Sequence, residues 1–293
     1  MTCSAIPGAR FLATSATVLA RPIPRRSAAP LDRSLILGIV IALAAILAAS
    51  RVTGIDLGYF LHPVGGLIVI GGTLGVMLIT TPRRALLHAA QRIAGLLTAQ
   101  NLDRSALIDE IAQHSRTARR GGMLAVESQL RGIANNQLRR AFELAVDLGN
   151  PTELRSLLET ELHLTERQAE ADAKILEVAG GFAPTLGIIG TVIGLIDVLR
   201  HFSSLSAAGS SAGYGIGTAF VSTIYGLALA NLFLLPLAHR IRARAAENFE
   251  TSEIILEGVL AIASNDHPSL VRMRLEAFLR RAPAPASDEH DHS

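Results

Sequence analysis

Apolar blocks almost free of charge alternate along the chain with segments in which apolar residues recur at helical spacing among charges. The first block, SLILGIVIALAAILAAS from Ser34 to Ser50, is bracketed by Arg33 and Arg51. It spans roughly 25 Å at the helical rise, slightly less than the ~30 Å of a bilayer's hydrocarbon, a shortfall that snorkelling arginines and local thinning absorb. The second block, PVGGLIVIGGTLGVMLITT, runs from Pro63 to Thr81 and is closed by Pro82, Arg83 and Arg84. The third, GGFAPTLGIIGTVIGLI, runs from Gly180 to Ile196 and stops before Asp197 and Arg200. The uncharged stretch from Phe202 to Ala238 is too long for one crossing; its first part, SSLSAAGSSAGYG, reads as a polar loop, which predicts a fourth helix from about Ile216 to Ala238.

Between Arg83 and Glu177 the chain carries 13 basic and 13 acidic residues, with apolar positions such as Leu138, Phe142, Ala145 and Val146 at helical spacing. This pattern predicts amphipathic helices. Asn150-Pro151-Thr152 caps a new helix with proline at its start. No breaker follows before Gly180, so that helix should continue into the third span. The expected fold is all-α: an integral membrane protein with four transmembrane helices and a helical cytoplasmic domain between helices 2 and 3, with a long helix continuous with helix 3. The expected divisions are a disordered N-terminal extension (1–33), helices 1 and 2 (34–82), the cytoplasmic helical domain (83–177), helices 3 and 4 (178–239), and a cytoplasmic C-terminal helix with a disordered tail (240–293).

Charge orients the bundle. Arg25, Arg26 and Arg33 precede the first span, Arg83 and Arg84 follow the second, and Arg240, Arg242 and Arg244 follow the fourth. The positive-inside rule puts these clusters, and both termini, in the cytoplasm. The connections Arg51–His62 and Phe202–Gly215 are nearly uncharged and fall outside. Residues 1–33 lack an apolar core followed by a small-residue cleavage site, so they read as an extension or an early start codon rather than a cleaved signal peptide.

Composition narrows the function. Apolar residues make up 49% of the chain, tryptophan is absent and the formal net charge is +2. Nothing in this calls for nucleic acid. The lone cysteine, Cys3, excludes an internal disulfide framework. Enzyme motifs such as HExxH, GxSxG or a Walker loop do not occur, and His290-Asp291-His292 reads as a solvated tail rather than a metal site. No ionisable residue lies at the centre of a span, and Asp197 reads as interfacial, within reach of Arg200. An ion path needs a carboxylate at depth, so if ions pass here another chain supplies it.

Spans three and four carry small and hydroxylated faces: Gly187, Gly190, Thr191 and Gly194 on one, Ala219, Ser222, Thr223, Gly226 and Ala230 on the other. Such faces predict close helix packing, and equally allow hydroxyls to line a polar route. Pro184 and Pro236 fall in the cytoplasmic half of the membrane and predict kinks. Pro184 is the better hinge, because Pro236 sits near the expected end of its helix. In the polar segment, Arg119-Arg120-Gly121-Gly122-Met123-Leu124-Ala125-Val126-Glu127 joins a basic pair, a glycine break and a helix with an early acid. Residues alone make this an ordinary solvated turn.

GGFAPTLGIIGTVIGLI, GTAFVSTIYGLALANLFLLPLAHRI and HPVGGLIVIGGTLGVMLITTP together resemble the core helices and second helix of the MotA/TolQ/ExbB proton-channel family, on its flagellar motor stator side. The resemblance covers about Ser34 to Arg281. It implies an ion-channel-forming stator subunit of the bacterial inner membrane, assembled as a homo-oligomer, a pentamer in the family. The partners it implies are a MotB-type single-span protein supplying the ion-binding Asp and a FliG-type protein of the rotor switch complex. The transported ion would be H+, with Na+ also open, and no cofactor is implied. By matching motif, Pro184 and Pro236 become coupling prolines, Thr191, Ser222 and Thr223 line the ion path, and Arg119, Arg120 and Glu127 contact the rotor. The rivals are a TolQ/ExbB-type energiser of an outer-membrane system and a non-conducting membrane scaffold. Spans one and two and the RRGGMLAVE segment favour the motor, and the paired hydroxyls and prolines count against the scaffold.

Overall fold

The computed structural model describes residues 33–54, 57–96, 103–202 and 209–280, and every regular element within them is helical. Cys3, the N-terminal extension and the His290-Asp291-His292 tail lie outside the described residues.

Helix α1 runs over Arg33–Val52. After a short 3-10 turn at Leu57–Phe60, the second apolar block folds as α2 (Pro63–Gly66), a π-helical stretch Leu67–Gly71 and α3 (Gly72–Thr80) in one continuous rod. Pro63 opens this rod, where its missing N–H costs nothing, and the His62 ring caps it by accepting from the Gly65 N–H at 3.1 Å. Extended Thr81, followed by Pro82, closes it.

The polar region folds as α4 (Arg83–Leu96), α5 (Arg104–Gly121), α6 (Met123–Glu127) and α7 (Asn136–Leu148). Their ends are set by local chemistry. Asp103 and Asn135 cap α5 and α7, and glycines with positive φ, Gly122 (74°) and Gly149 (62°), release the chain from them. The Asn150 side chain accepts from the Thr152 N–H at 3.0 Å, and Pro151 begins α8, which runs unbroken from Pro151 to Phe202. Its 52 residues extend roughly 78 Å at 1.5 Å per residue, so the third span and its polar extension are one rod, as the pattern predicts.

The last apolar block departs from expectation at both ends. Helix α9 (Gly209–Ala228) begins well before Ile216, because serines and alanines need not break a helix when no proline intervenes. Through a π-helical stretch, Leu229–Leu234, it passes directly into α10 (Leu235–Ala263), so there is no helix end near Ala238. A separate helix, α11 (Pro268–Arg280), completes the described chain.

Two apolar clusters hold the polar part together. One joins Ile108 and Ile111 of α5, Leu138 and Phe142 of α7, Leu154 of α8, and Ile254 and Val259 of α10. The second is smaller and lies nearer the apolar blocks, with Ala169, Ala173 and Leu176 of α8 packed on Leu96, Ala238 and Ile241. The apolar blocks instead turn large side chains outward: Leu67 is 74% exposed, Ile188 56% and Phe220 53%. Three helical rods among the described residues, Pro63–Thr80, Pro151–Arg200 and Ile216–Ala263, are long and apolar enough to cross a membrane, and Ile36–Val52 is a shorter apolar helix.

Candidate functional site

The small faces of α8 and α9 meet backbone to backbone. A Cβ on Gly226 would stand 2.5 Å from the Ala183 carbonyl oxygen and 3.1 Å from the Pro184 Cα, and one on Gly187 would stand 2.8 Å from the Ser222 carbonyl oxygen. Only glycine permits this approach. It places Thr191 and Thr223 side by side, with hydroxyl oxygens 2.6 Å apart, and Thr191 Oγ1 also lies 3.2 Å from the Gly187 carbonyl and 3.1 Å from that of Ala219. Each hydroxyl has one proton. The shorter distances are satisfied when Thr223 donates to Thr191 and Thr191 donates to a carbonyl. Ser222, 1% exposed, is wedged between Gly65 of α2 and Gly190 of α8. Thr191, Ser222 and Thr223 are thus gathered at one three-helix contact.

The prolines are gathered too. Pro184 lies inside α8 and cannot donate to the Gly180 carbonyl one turn back. That same Gly180 packs on α10, where an added Cβ would stand 2.9 Å from Leu235, the neighbour of Pro236. Pro236 is not at a helix end. It stands just beyond the π-helical stretch, which contains Leu232, whose carbonyl an α-helix would pair with position 236. The wider π turn relieves the proline's clash with that carbonyl, so the helix continues through it.

Away from the apolar blocks, the segment Arg119–Glu127 bends at Gly122. Arg119 donates from Nη1 to the Asn265 carbonyl at 2.7 Å and so helps close the C-terminus of α10. Arg120 and Glu127 are exposed, and Leu124 between them is 76% exposed, while fully buried Val126 anchors the segment. The helix with an early acid predicted here is a single turn with Glu127 as its last residue. Val126 and Leu130 both belong to the apolar core.

Sequence reasoning missed a charged collar between these two regions. Asp172 of α8 is wholly buried; its carboxylate receives Arg92 Nε at 2.6 Å and Gln168 Nε2 at 3.2 Å, with His88 Nδ1 at 2.9 Å. On another side of α8, Arg242 of α10 reaches both Glu170, at 2.6 Å, and Glu177. The Arg242 hydrogen bond holds the Glu177 carboxyl down to about 2, and the same guanidinium lowers Glu170. The available signal was the stripe Ala169, Ala173, Leu176, which marks a buried face with Asp172 beside it.

Residues 127–254 match the MotA/TolQ/ExbB proton channel family. Motility protein A of Bacillus subtilis is 27% identical over 251 residues, which is 85% of this chain and 91% of that protein. Chemotaxis protein PomA of Vibrio alginolyticus is 28% identical over 250 residues, 85% of this chain and 96% of its own length. Among solved structures, a chain of the flagellar MotAB stator complex from Bacillus subtilis superposes with a TM-score of 0.77 at 26% identity, covering 83% of this chain and 94% of that one. A chain of C. jejuni MotAB shares the fold, with a TM-score of 0.79 at 24% identity over 87% of this chain and 98% of its own. Residues 127–254 thus carry a MotA/TolQ/ExbB proton channel family domain, and the likeness to motility proteins and stator chains extends to helices that precede it.

Proposed function

We propose that the chain is the ion-channel-forming stator subunit of a bacterial flagellar motor, coupling ion flow across the inner membrane to torque on the rotor. The observation that carries this reading is the extent of the likeness. It runs over 83% of the chain against the MotAB stator complex of Bacillus subtilis, and so includes helices before the family core at residues 127–254. In this reading α1, with the three longer apolar rods, completes four crossings with both termini in the cytoplasm. Copies of the chain form a ring, a pentamer, around a MotB-type single-span partner whose Asp takes up the ion that no span of this chain can hold. The ion is a proton, or sodium in its place, and no cofactor takes part.

Thr191, Ser222 and Thr223 set the hydroxylated side of the ion path, Pro184 and Pro236 convert ion uptake into movement of α8 and α10, and Arg120, Glu127 and Arg119 face the FliG-type rotor protein. The driving force is sufficient, because one charge falling through 100 mV releases about 2.3 kcal/mol. The test is soft-agar swimming by a deletion strain that still builds flagella. Rescue by the wild-type gene and not by Pro184→Ala is expected; swimming that never depended on the gene would count against the stator role.

A further inference from the structure

We propose that Asp172 is the positioning residue that makes the polar extensions of the spans move as one body, so that displacement at the prolines reaches the rotor-facing segment undiminished. The inference rests on the stator reading above and deepens it.

Asp172 is the only Asp or Glu that is buried among the described residues. A buried carboxylate with no partner is strongly unfavourable, and this one is met by donors from two elements. Arg92 Nε, with His88 Nδ1 beside it on the same carboxylate oxygen, comes from α4, and Gln168 comes from α8 itself. Helix α4 begins directly after the second apolar rod, with only Thr81 and Pro82 between them. Asp172 therefore pins the continuation of that rod to the continuation of the third.

At the same level, Glu170 and Glu177 pin α8 to α10 through Arg242. Between the two ties lies the apolar filling of Ala169, Ala173, Leu176, Ala238 and Ile241. The collar sits on the polar side of both Pro184 and Pro236. The apolar filling is non-directional, so it resists sliding of the three helices less sharply than a bond that has a preferred position. A carboxylate held at two oxygens by separate donors does have one. The Asp172 tie is also the better shielded of the two, since its carboxylate is wholly buried and Arg92 is 26% exposed, whereas Glu170 is half exposed.

A structural role alone would lower the number of working stator units, whereas a positioning role lowers what each unit delivers. The experiment expresses the full chain with its MotB-type partner in a strain lacking both. It compares wild type, Asp172→Asn, Arg92→Gln and Arg92→Lys by partner co-purification, by counting fluorescent units at single motors, and by stall torque per unit. Asp172→Asn and Arg92→Gln are expected to co-purify with the partner and to dock, but to lose stall torque per unit by roughly threefold or more. Arg92→Lys, which keeps the charge, should retain most of it. Arg92→Gln leaves the carboxylate in place and so stands as the second test if Asp172→Asn fails to accumulate. Unchanged torque per docked unit in Arg92→Gln, with any loss confined to fewer units, would overturn the inference. A wild-type chain that powers no motor would overturn the stator reading, and this one with it.

Discussion

At the α8–α9 contact the geometry leaves almost no freedom in residue choice. A valine at Gly226 would drive its side chain into the Ala183 carbonyl, which is backbone and cannot rotate away. We expect Gly226→Val to separate the helices at a cost of at least about 3 kcal/mol and to abolish accumulation of the protein in membranes, read by immunoblot. Thr191→Val keeps the shape and removes the hydroxyl that joins Thr223 to a backbone carbonyl of Gly187 or Ala219. The expected loss of stability is only about 1 kcal/mol, with normal abundance but slower swimming, because the proposed ion path loses its polar side. Swimming at wild-type speed would assign the threonine pair to packing. Glu177 adds a pH dependence. Its carboxyl is held at about 2 against an ordinary 4.5, so its bond to Arg242 contributes fully above pH 4.5 and is lost as the pH falls toward 2. Thermal unfolding of the purified complex should shift downward over that window by about 1–2 kcal/mol. Glu177→Gln should remove this part of the shift.

At the scale of elements, the prolines were legible and their settings were not. Pro184 was readable as an interior proline because no charged residue lies within a turn of it on either side. Pro236 was placed near a helix end because Arg240, Arg242 and Arg244 follow it, yet the helix runs on to Ala263. The π-helical stretch ahead of it takes up the strain, and π turns have no residue signature comparable to a capping box. The start of α9 at Gly209 was hidden for a related reason: Gly, Ser and Ala are poor guides to helix ends when tertiary packing decides. The collar was harder still, since Arg92, Asp172 and Arg242 are far apart in the chain and only folding brings them to one level. In contrast, the cap at Asn150-Pro151 and the unbroken run to the third span could be read directly, because each depends on adjacent residues. The exposed charges of the Gly122 bend follow the same logic. Arg120→Glu or Glu127→Arg is expected to impair swimming with unchanged membrane abundance, because neither side chain contributes to the core.

For the whole molecule, the division of labour is between a part that buries its apolar residues within the chain and a part that turns them outward. Ile111, Leu138 and Phe142 are fully buried, whereas Leu67, Ile79 and Leu199 are each 70% or more exposed. Lipid or protein must cover the second set; in the proposed pentamer neighbouring copies cover part of it, and the chain purified without its partner in mild detergent is expected to appear as a ring, whereas a monomer by light scattering would oppose the pentamer.

The unbroken length of α8 also sets a scale for how little the ion site has to do. From Pro184 back to Pro151 the rod extends roughly 50 Å at 1.5 Å per residue. A tilt of only about 5° at the proline then carries the far end through roughly 4 Å by the same rise, comparable with the width of a side chain. In the proposed mechanism a small rearrangement beside Pro184 is thus magnified, by the length of a single helix, into a stroke large enough to shift one charged contact to the next.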